Sequence, residues 1–246
     1  MKLSFREYGT PSGPQVVLLH AFPMSGAMWE PQVSSLKPYR VLIPDLRGFG
    51  ATAASSPWLI EHAAADVLES FDGKAVFVGL SMGGYVALQI AAAAPDRVRG
   101  LVLADTRAEP DANENKAKRA AAIDFVRKNG VDAFLAPFLK DAVHNQSAMP
   151  MLRAVAAKAS PESVMAALAA LAARPDAVPG LAKITVPTTV LVGSQDKITP
   201  PPLSETMRSR IPGAELHVIP DAGHFSNAEN PAVFNDRLVS FLKRVG

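Results

Sequence analysis

The segment Ala75-Val-Phe-Val-Gly79-Leu-Ser81-Met-Gly83-Gly84-Tyr85 decides the fold prediction for this chain. It joins a short apolar run to a helical pattern, and its centre has the form G-x-S-x-G. A serine on such a tight turn exposes its hydroxyl above a sheet, and Gly79 and Gly83 remove side chains that would collide there. The following helix directs its first N–H groups towards Ser81. The segment therefore predicts a nucleophilic serine; the alternative is a glycine-rich helix start with Ser81 as its cap.

Further apolar runs predict the other strands of a sheet. They cover residues 15–20, 40–44, 100–104, 188–192 and 214–219, and residues 3–8 alternate weakly. Continuous apolar runs are typical of strands that are buried on both faces. Helical patterns separate them over residues 25–36, 59–71, 82–94, 202–210 and 231–244. This order predicts an α/β fold with a mostly parallel, twisted β-sheet flanked by helices.

Residues 107–183 interrupt this alternation and predict a helical insertion. Helical patterns cover 113–129, 131–140 and 162–173, and Pro137 is expected to kink or split the second. Ser160 is expected to cap the third, with Pro161 in its first turn. We therefore predict a core of residues 1–106 and 184–246 with a cap over 107–183. An insertion at this edge lies over the ligand crevice, which favours a lid; a packing layer without ligand contact is the alternative.

Composition excludes several classes of protein. The 25 Lys and Arg residues nearly balance the 23 Asp and Glu residues, so we expect no nucleic acid and no membrane as partner. The absence of cysteine excludes disulfides and a cysteine nucleophile. No signal peptide is visible, and the longest apolar run falls short of the roughly 20 residues of a membrane span, which predicts a soluble, cytoplasmic protein. No phosphate-binding loop, dinucleotide fingerprint or metal-ligand spacing is present, so we expect no cofactor and no metal.

A serine hydroxyl is a weak nucleophile without a general base, and His224 is the best candidate for that base. It follows the last predicted strand in a loop before the final helix, from which it can extend over the sheet edge. His20, at the end of an earlier strand, is the competitor, and we expect it to support the neighbouring loop by hydrogen bonding. His62, His144 and His217 fall in a helix, the insertion and a strand.

The histidine needs a carboxylate that fixes its tautomer and stabilises its charged form. Asp196 follows the predicted strand over 188–192, and Asp105 follows the strand over 100–104 in a similar position. Asp196 is the leading candidate because the order Ser81, Asp196, His224 is the one expected for a triad on this kind of sheet. Loop or helix capping is the alternative for either carboxylate.

These motifs together resemble the α/β-hydrolase fold superfamily over essentially the full length of the chain. Residues 20–23 resemble its His-Gly-x-Pro oxyanion loop, with Ala21 in the glycine position, and residues 44–50 resemble its Asp-x-Arg-Gly-x-Gly turn. Residues 79–84 resemble its nucleophile elbow, and residues 193–200 and 223–225 its acid and base loops. A serine in the elbow argues against haloalkane dehalogenases and epoxide hydrolases, which use aspartate. The elbow sequence is similar to that of 3-oxoadipate enol-lactonase-like members and small carboxylesterases.

The resemblance implies a serine hydrolase that cleaves carboxylic esters or lactones of small, largely apolar substrates through an acyl-enzyme. The N–H groups of Met82 and Phe22 are the implied oxyanion donors. The same triad also supports lyase or cofactor-free perhydrolase chemistry, and a non-catalytic ligand-binding member is a further alternative.

Aromatic and methionine side chains are candidates for the wall of the substrate pocket, because they suit an apolar acyl or alcohol group. These candidates are Phe22, Met24, Met28, Trp29, Phe134, Phe138 and Phe225. Core packing is the alternative for each of them. A substrate that bears a carboxylate would also need a cationic partner, and the sequence leaves open which arginine, if any, faces the pocket.

Overall fold

One seven-stranded sheet forms the centre of the structure, a computed structural model that describes residues 1–53 and 57–245. Its order is β1-β3-β2-β4-β5-β6-β7. The strands are β1 (Phe5–Gly9), β2 (Gln15–Leu19), β3 (Arg40–Pro44), β4 (Ala75–Leu80), β5 (Val98–Ala104), β6 (Thr188–Gly193) and β7 (Glu215–Ile219). Among these seven strands of the described residues, only β1 runs antiparallel to its neighbour. The predicted fold class is confirmed, and each predicted strand is present.

Helices cover both the sheet and the region between β5 and β6. They are α1 (Glu30–Val33), α2 (Ile60–Glu69), α3 (Met82–Ala93), α4 (Asn113–Ala142), α5 (Met149–Ala156), α6 (Pro161–Ala173), α7 (Pro201–Arg210), α8 (Ser226–Glu229) and α9 (Pro231–Val245). The helix predicted over 25–36 is instead a short α1 between two 3₁₀ turns, Gly26–Trp29 and Ser34–Leu36. Pro31 explains this break, because it has no N–H to donate to the carbonyl of Ala27.

α4 breaks at Gly130, between the helices predicted over 113–129 and 131–140, so the prediction that Pro137 splits the second helix is wrong. Gly130 has φ 79° and ψ 174°, values outside the helical region that glycine adopts without a steric penalty. Pro137 lies inside the second half of α4, where helical geometry continues through it. The Ser160 cap is present, since its hydroxyl accepts a hydrogen bond from the Ser163 N–H.

The segment between β5 and β6 buries many of its apolar side chains, although Phe125 is exposed. α4 packs mainly against α6, and these two helices carry the buried residues Leu135, Leu139, Val164 and Leu168. Across residues 1–53 and 57–245, no single helix has both the length and the apolar composition needed to cross a bilayer. The bent pair Gln146–Ala156 and Pro161–Ala173 passes only when its two helices are taken together.

Candidate active site

Ser81 occupies a strained turn between the buried strand β4 and α3. Its φ of 53° lies in a region that side-chain-bearing residues seldom adopt, at a cost of about 1–3 kcal/mol. Hydrogen bonds hold the turn: the Ser81 N–H donates to the Ala104 carbonyl at 2.9 Å, and the Thr106 hydroxyl donates to the Ser81 carbonyl at 2.9 Å. Strand β5 therefore fixes the position of the serine from the neighbouring side of the sheet.

Two glycines make this turn sterically possible. A Cβ on Gly79 would lie 2.2 Å from the Gly83 carbonyl oxygen, and a Cβ on Gly83 would lie 2.1 Å from the Leu19 carbonyl oxygen. Both distances are far below van der Waals contact. The absence of these side chains lets α3 begin directly against β4 and β2, so that the serine hydroxyl emerges at the carboxyl edge of the sheet.

His224 connects Ser81 to a carboxylate through two hydrogen bonds. Its Nε2 lies 2.8 Å from Ser81 Oγ, and its Nδ1 lies 2.9 Å from Asp196 Oδ2. A carboxylate only accepts, so Nδ1 carries the proton and Nε2 is free to accept the serine hydroxyl proton. The imidazole is almost fully buried, and its backbone N–H donates to the Ala142 carbonyl at the end of α4.

Asp196 is held by its own loop as well as by His224. One carboxylate oxygen accepts from the N–H groups of Ile198 and Thr199, and the other accepts from the Thr199 hydroxyl at 2.7 Å. Burial opposes ionisation of Asp196, but His224 and these donors outweigh it and lower the pKa of the carboxyl. Asp196 is therefore the charged group that orients the imidazole.

Asp105 lies close to this pair but does not bond to the imidazole. Its carboxylate accepts from the Gly193 N–H at 2.8 Å and from the hydroxyl and N–H of Ser226. Complete burial, followed by the negative charge of Asp196, raises the pKa of Asp105 to about 8. Asp105 thus joins the end of β6 to the start of α8.

His20 supports a loop, as the sequence predicts. Its Nε2 accepts from the Leu46 N–H at 2.9 Å, and its Nδ1 is 2.9 Å from the Ala21 carbonyl. Burial lowers the pKa of His20 to about 4, so it stays neutral at physiological pH. Ala21, in the glycine position of the resemblance, has no positive φ, so its methyl group imposes no backbone strain.

A cavity of about 590 Å³ opens beside Ser81 and His224, within the size range of small-molecule sites. The apolar part of its wall includes Phe22, Phe134, Phe138, Leu168, Leu171 and Ile198. The rings of Phe134 and Phe138 stack at 5.7 Å between centroids, and Phe22 meets both edge-on. This cluster joins the loop after β2 to helix α4.

Four other pocket candidates lie in the core instead. Met24, Met28, Trp29 and Phe225 have no exposed surface, and none of them lines the cavity. Met28 packs under the loop after β2, where its sulfur accepts the Ala21 N–H, and the Trp29 ring packs near Phe234. These side chains therefore stabilise the loops around the site without lining the cavity, which corrects the prediction for these four.

Comparison with known proteins agrees with this geometry. The sequence profile of the alpha/beta hydrolase family matches residues 16–237. The chain belongs to the alpha/beta hydrolase family. A solved structure of a thermophilic esterase from Thermogutta terrifontis, with malate bound, is similar to this hydrolase with a TM-score of 0.93 and 36% identity. The match covers 99% of this chain and 93% of that one.

Two sequence relatives span the chain nearly completely. A Variovorax paradoxus protein, named provisionally as a carbamate hydrolase, is 31% identical over 100% of this chain and 97% of its own length. 3-Oxoadipate enol-lactonase 1 of Acinetobacter baylyi is 29% identical over 99% of this chain and 94% of its own length. The resemblance to this family, inferred from motifs alone, is confirmed.

Glu229, which no sequence motif identifies, connects the loop that carries His224 to the segment after α4. Its buried carboxylate accepts four backbone N–H groups, from Gly223 at 2.9 Å, Phe225 at 3.0 Å, His144 at 2.7 Å and Asn145 at 2.7 Å. Two of these donors flank His224, and the other two follow α4. The only sequence signal was a carboxylate five residues after the histidine, in a four-residue helix, which by itself indicates nothing specific.

The pH profile of this hydrolase is expected to have an acid limb with a midpoint above pH 6.5. Burial lowers the pKa of His224, but the charge and hydrogen bond of Asp196 outweigh it, with support from Asp105 and Glu229, and the pKa is raised. Only the neutral imidazole accepts a proton, so activity is present above this pKa and lost below it. Measuring kcat/KM for a 4-nitrophenyl ester from pH 5 to 9 locates the limb. A flat profile would exclude a histidine base, and a midpoint below 6.5 would mean that burial outweighs Asp196.

Proposed function

We propose that this hydrolase cleaves carboxylic esters and lactones through an acyl-enzyme intermediate. The observation that carries the proposal is the line of hydrogen bonds from Asp196 through His224 to Ser81 beside a cavity large enough for a small molecule. The relatives whose names refer to ester and enol-lactone cleavage support the same reaction class.

Ser81 Oγ attacks the carbonyl carbon as His224 Nε2 takes the hydroxyl proton. The resulting imidazolium is stabilised by Asp196, which stays ionised. His224 then gives the proton to the departing alcohol oxygen, and Ser81 keeps the acyl group as an ester. Water repeats the sequence on the acyl-enzyme, with His224 again as base, and the carboxylic acid leaves.

The oxyanion is held by the backbone N–H groups of Met82 and Phe22. Met82 is the first residue of α3, so its N–H has no acceptor within the helix. Phe22 lines the same cavity as Ser81 from the loop after β2. Loss of one such donor typically raises a barrier by about 2.7–4 kcal/mol, so the backbone geometry of both loops contributes to rate.

The substrate is a small molecule whose reacting part is apolar. Phe22, Phe134 and Phe138 give that part an aromatic surface. Residues 107–183 act as a cap over the site, and residues 1–106 and 184–246 form the core that holds the triad. The cap contributes Phe134 and Phe138 to substrate binding.

A panel of substrates tests the proposal. It contains 4-nitrophenyl esters from acetate to hexanoate, unsubstituted lactones, an aryl carbamate, a cyanohydrin and a peracid assay. We expect ester or lactone turnover with kcat/KM of about 10⁴ M⁻¹s⁻¹ or more for the best member. Mass spectrometry after treatment with a fluorophosphonate is expected to find the label on Ser81, since only an activated serine reacts.

Turnover of the cyanohydrin or formation of peracid without ester or lactone turnover would replace the proposal with lyase or perhydrolase chemistry. Preferential turnover of the carbamate would change the substrate class while keeping the triad. No labelling at Ser81 together with no turnover would contradict a catalytic role altogether.

A further inference from the structure

Three arginines surround one buried carboxylate on the wall of the cavity. Asp111 Oδ1 is 2.5 Å from Arg107 Nη2 and 2.8 Å from Arg174 Nη1, and its Oδ2 pairs with Arg119 Nε. The carboxylate has no exposed surface. Burial opposes ionisation of Asp111, but Arg119 and Arg174 outweigh it and lower its pKa, so it is charged at neutral pH.

This cluster carries more positive than negative charge. Three guanidinium groups face one carboxylate, and arginine stays protonated in proteins. Glu109 contributes its backbone carbonyl to Arg174 at 3.0 Å, and within the described residues its carboxylate makes no ion pair with any of the three arginines. Uncompensated cations in a partly buried wall attract an anion strongly, because the dielectric there is low.

The three arginines have different surroundings. Arg174 lies behind the wall, where it stacks on the Tyr85 ring at 4.5 Å and donates to the Leu171 carbonyl. Arg107 and Arg119 line the cavity itself, together with Ser81 and His224. The side chains of Arg107 and Arg119 keep 16% and 23% of their surface exposed, so both can contact a ligand in the cavity.

Arg107 is connected to the nucleophile turn through Thr106, the residue that precedes it. Arg107 directly follows Thr106, whose hydroxyl binds the Ser81 carbonyl. The arginine thus emerges from the same sheet edge as the nucleophile, and its guanidinium extends along the cavity wall. A group on the substrate can therefore contact Arg107 while the scissile carbonyl lies at Ser81.

The other charges of the cavity do not form an equivalent site. Lys118 pairs with Glu114, and both side chains are mostly exposed. Lys197 and Asp141 have opposite charges and also border a second, polar depression beside His144. Among the described residues that line the cavity, the excess of positive charge therefore lies at Arg107 and Arg119.

We propose that Arg107 and Arg119 form an anion subsite, and that the preferred ester or lactone carries a carboxylate several bonds from the scissile carbonyl. This inference rests on the proposed function. A guanidinium presents paired N–H donors that match a carboxylate, and its charge strengthens those bonds. Asp111, which also pairs with Arg174, holds the two arginines in place, while the aromatic wall accommodates the chain between carboxylate and ester.

Matched substrate pairs that differ only in charge test the subsite. One pair is mono-4-nitrophenyl glutarate and its ω-methyl ester; the other is 4-acetoxybutanoate and its methyl ester. For each pair, the charged-to-neutral ratio of kcat/KM is measured in wild type, Arg107→Gln and Arg119→Gln, with the spontaneous hydrolysis subtracted. We expect a ratio above about 10 for at least one pair in wild type, and a fall of about 10- to 100-fold in each variant.

The ratio is independent of the fraction of folded protein, because both substrates report on the same sample. Asp111 also keeps two arginine partners in either variant, so neither leaves it uncompensated. Arg127→Gln is the control: it removes an exposed arginine from the same helix α4, paired only with Asp124 among the described residues. Its ratio should equal that of wild type. Measurement in about 0.3 M salt suppresses attraction by exposed charges.

The possible outcomes separate this inference from the proposed function. Turnover of neither member of any pair contradicts the proposed function. Turnover of neutral esters with a wild-type ratio of one or below overturns the subsite and leaves the ester hydrolase intact. A high ratio that persists in Arg107→Gln and Arg119→Gln also overturns it, because the preference then originates elsewhere.

Discussion

Replacing Ser81 by alanine is expected to lower kcat about 10⁶-fold on any ester that the wild-type protein hydrolyses, the scale seen when another serine hydrolase loses its nucleophile. The hydroxyl bonds only to His224 among the described residues, so its removal takes away the attacking atom and leaves the turn itself intact. The strained φ of 53° remains, since alanine also has a Cβ. The variant should therefore fold with a melting temperature near that of wild type.

Covalent labelling and a control variant test whether Ser81 is the nucleophile. Fluorophosphonate labelling should disappear in Ser81→Ala and persist in Ser209→Ala, which alters an exposed serine on α7. Ser209→Ala should also keep the wild-type kcat. If Ser81→Ala retained more than about a tenth of wild-type activity, a different group would have to be the nucleophile.

The sheet and the nucleophile turn could be predicted because their sequence signals are local. A strand buried on both faces has a continuous apolar run. The tight turn at the serine requires glycine two residues before and two residues after it, which is visible in the sequence as G-x-S-x-G. His224 and Asp196 needed one further assumption, that parallel strands end at a common edge. The order of the three residues along the chain then supplied the triad.

The cavity wall could not be predicted, because an apolar residue has the same signal in a core and in a pocket. Met28 and Phe138 are both large and apolar, yet Met28 is fully buried while Phe138 lines the cavity. Phe138 lies in the half of α4 that follows the break at Gly130. The helical periodicity of either half of α4 does not indicate whether its apolar face packs in the core or lines a cavity.

The arginine cluster is non-local, which explains why it has no sequence signature. Arg107 follows β5, and Asp111 lies just before α4. Arg119 lies near the start of α4, and Arg174 follows α6. Their spacing corresponds to no motif. Glu229 is similar, because its four N–H donors come from two segments about 80 residues apart. Only the folded chain brings such groups together.

Replacing Asp196 by asparagine is expected to lower kcat by about 10⁴-fold, the cost known for this change in a serine protease. The amide nitrogen would donate to His224 Nδ1 and so move the imidazole proton to Nε2. In that tautomer the histidine cannot accept the proton of Ser81. The reduced kcat should come without a matching change in KM, because Asp196 does not line the cavity.

Asparagine at position 105 provides the matched comparison, because Asp105 lies near the same imidazole and competes for the same role. Asparagine keeps the shape of Asp105 and an oxygen that can accept from the Gly193 N–H, while it removes the carboxylate. We expect Asp105→Asn to lower kcat by less than about 10-fold, because the hydrogen bond that fixes the tautomer joins His224 Nδ1 to Asp196. The reverse ranking, with Asp105→Asn the more damaging variant, would assign the orienting carboxylate to β5. In that case the hydrogen bond from His224 to Asp196 would be a resting arrangement that the reaction does not use.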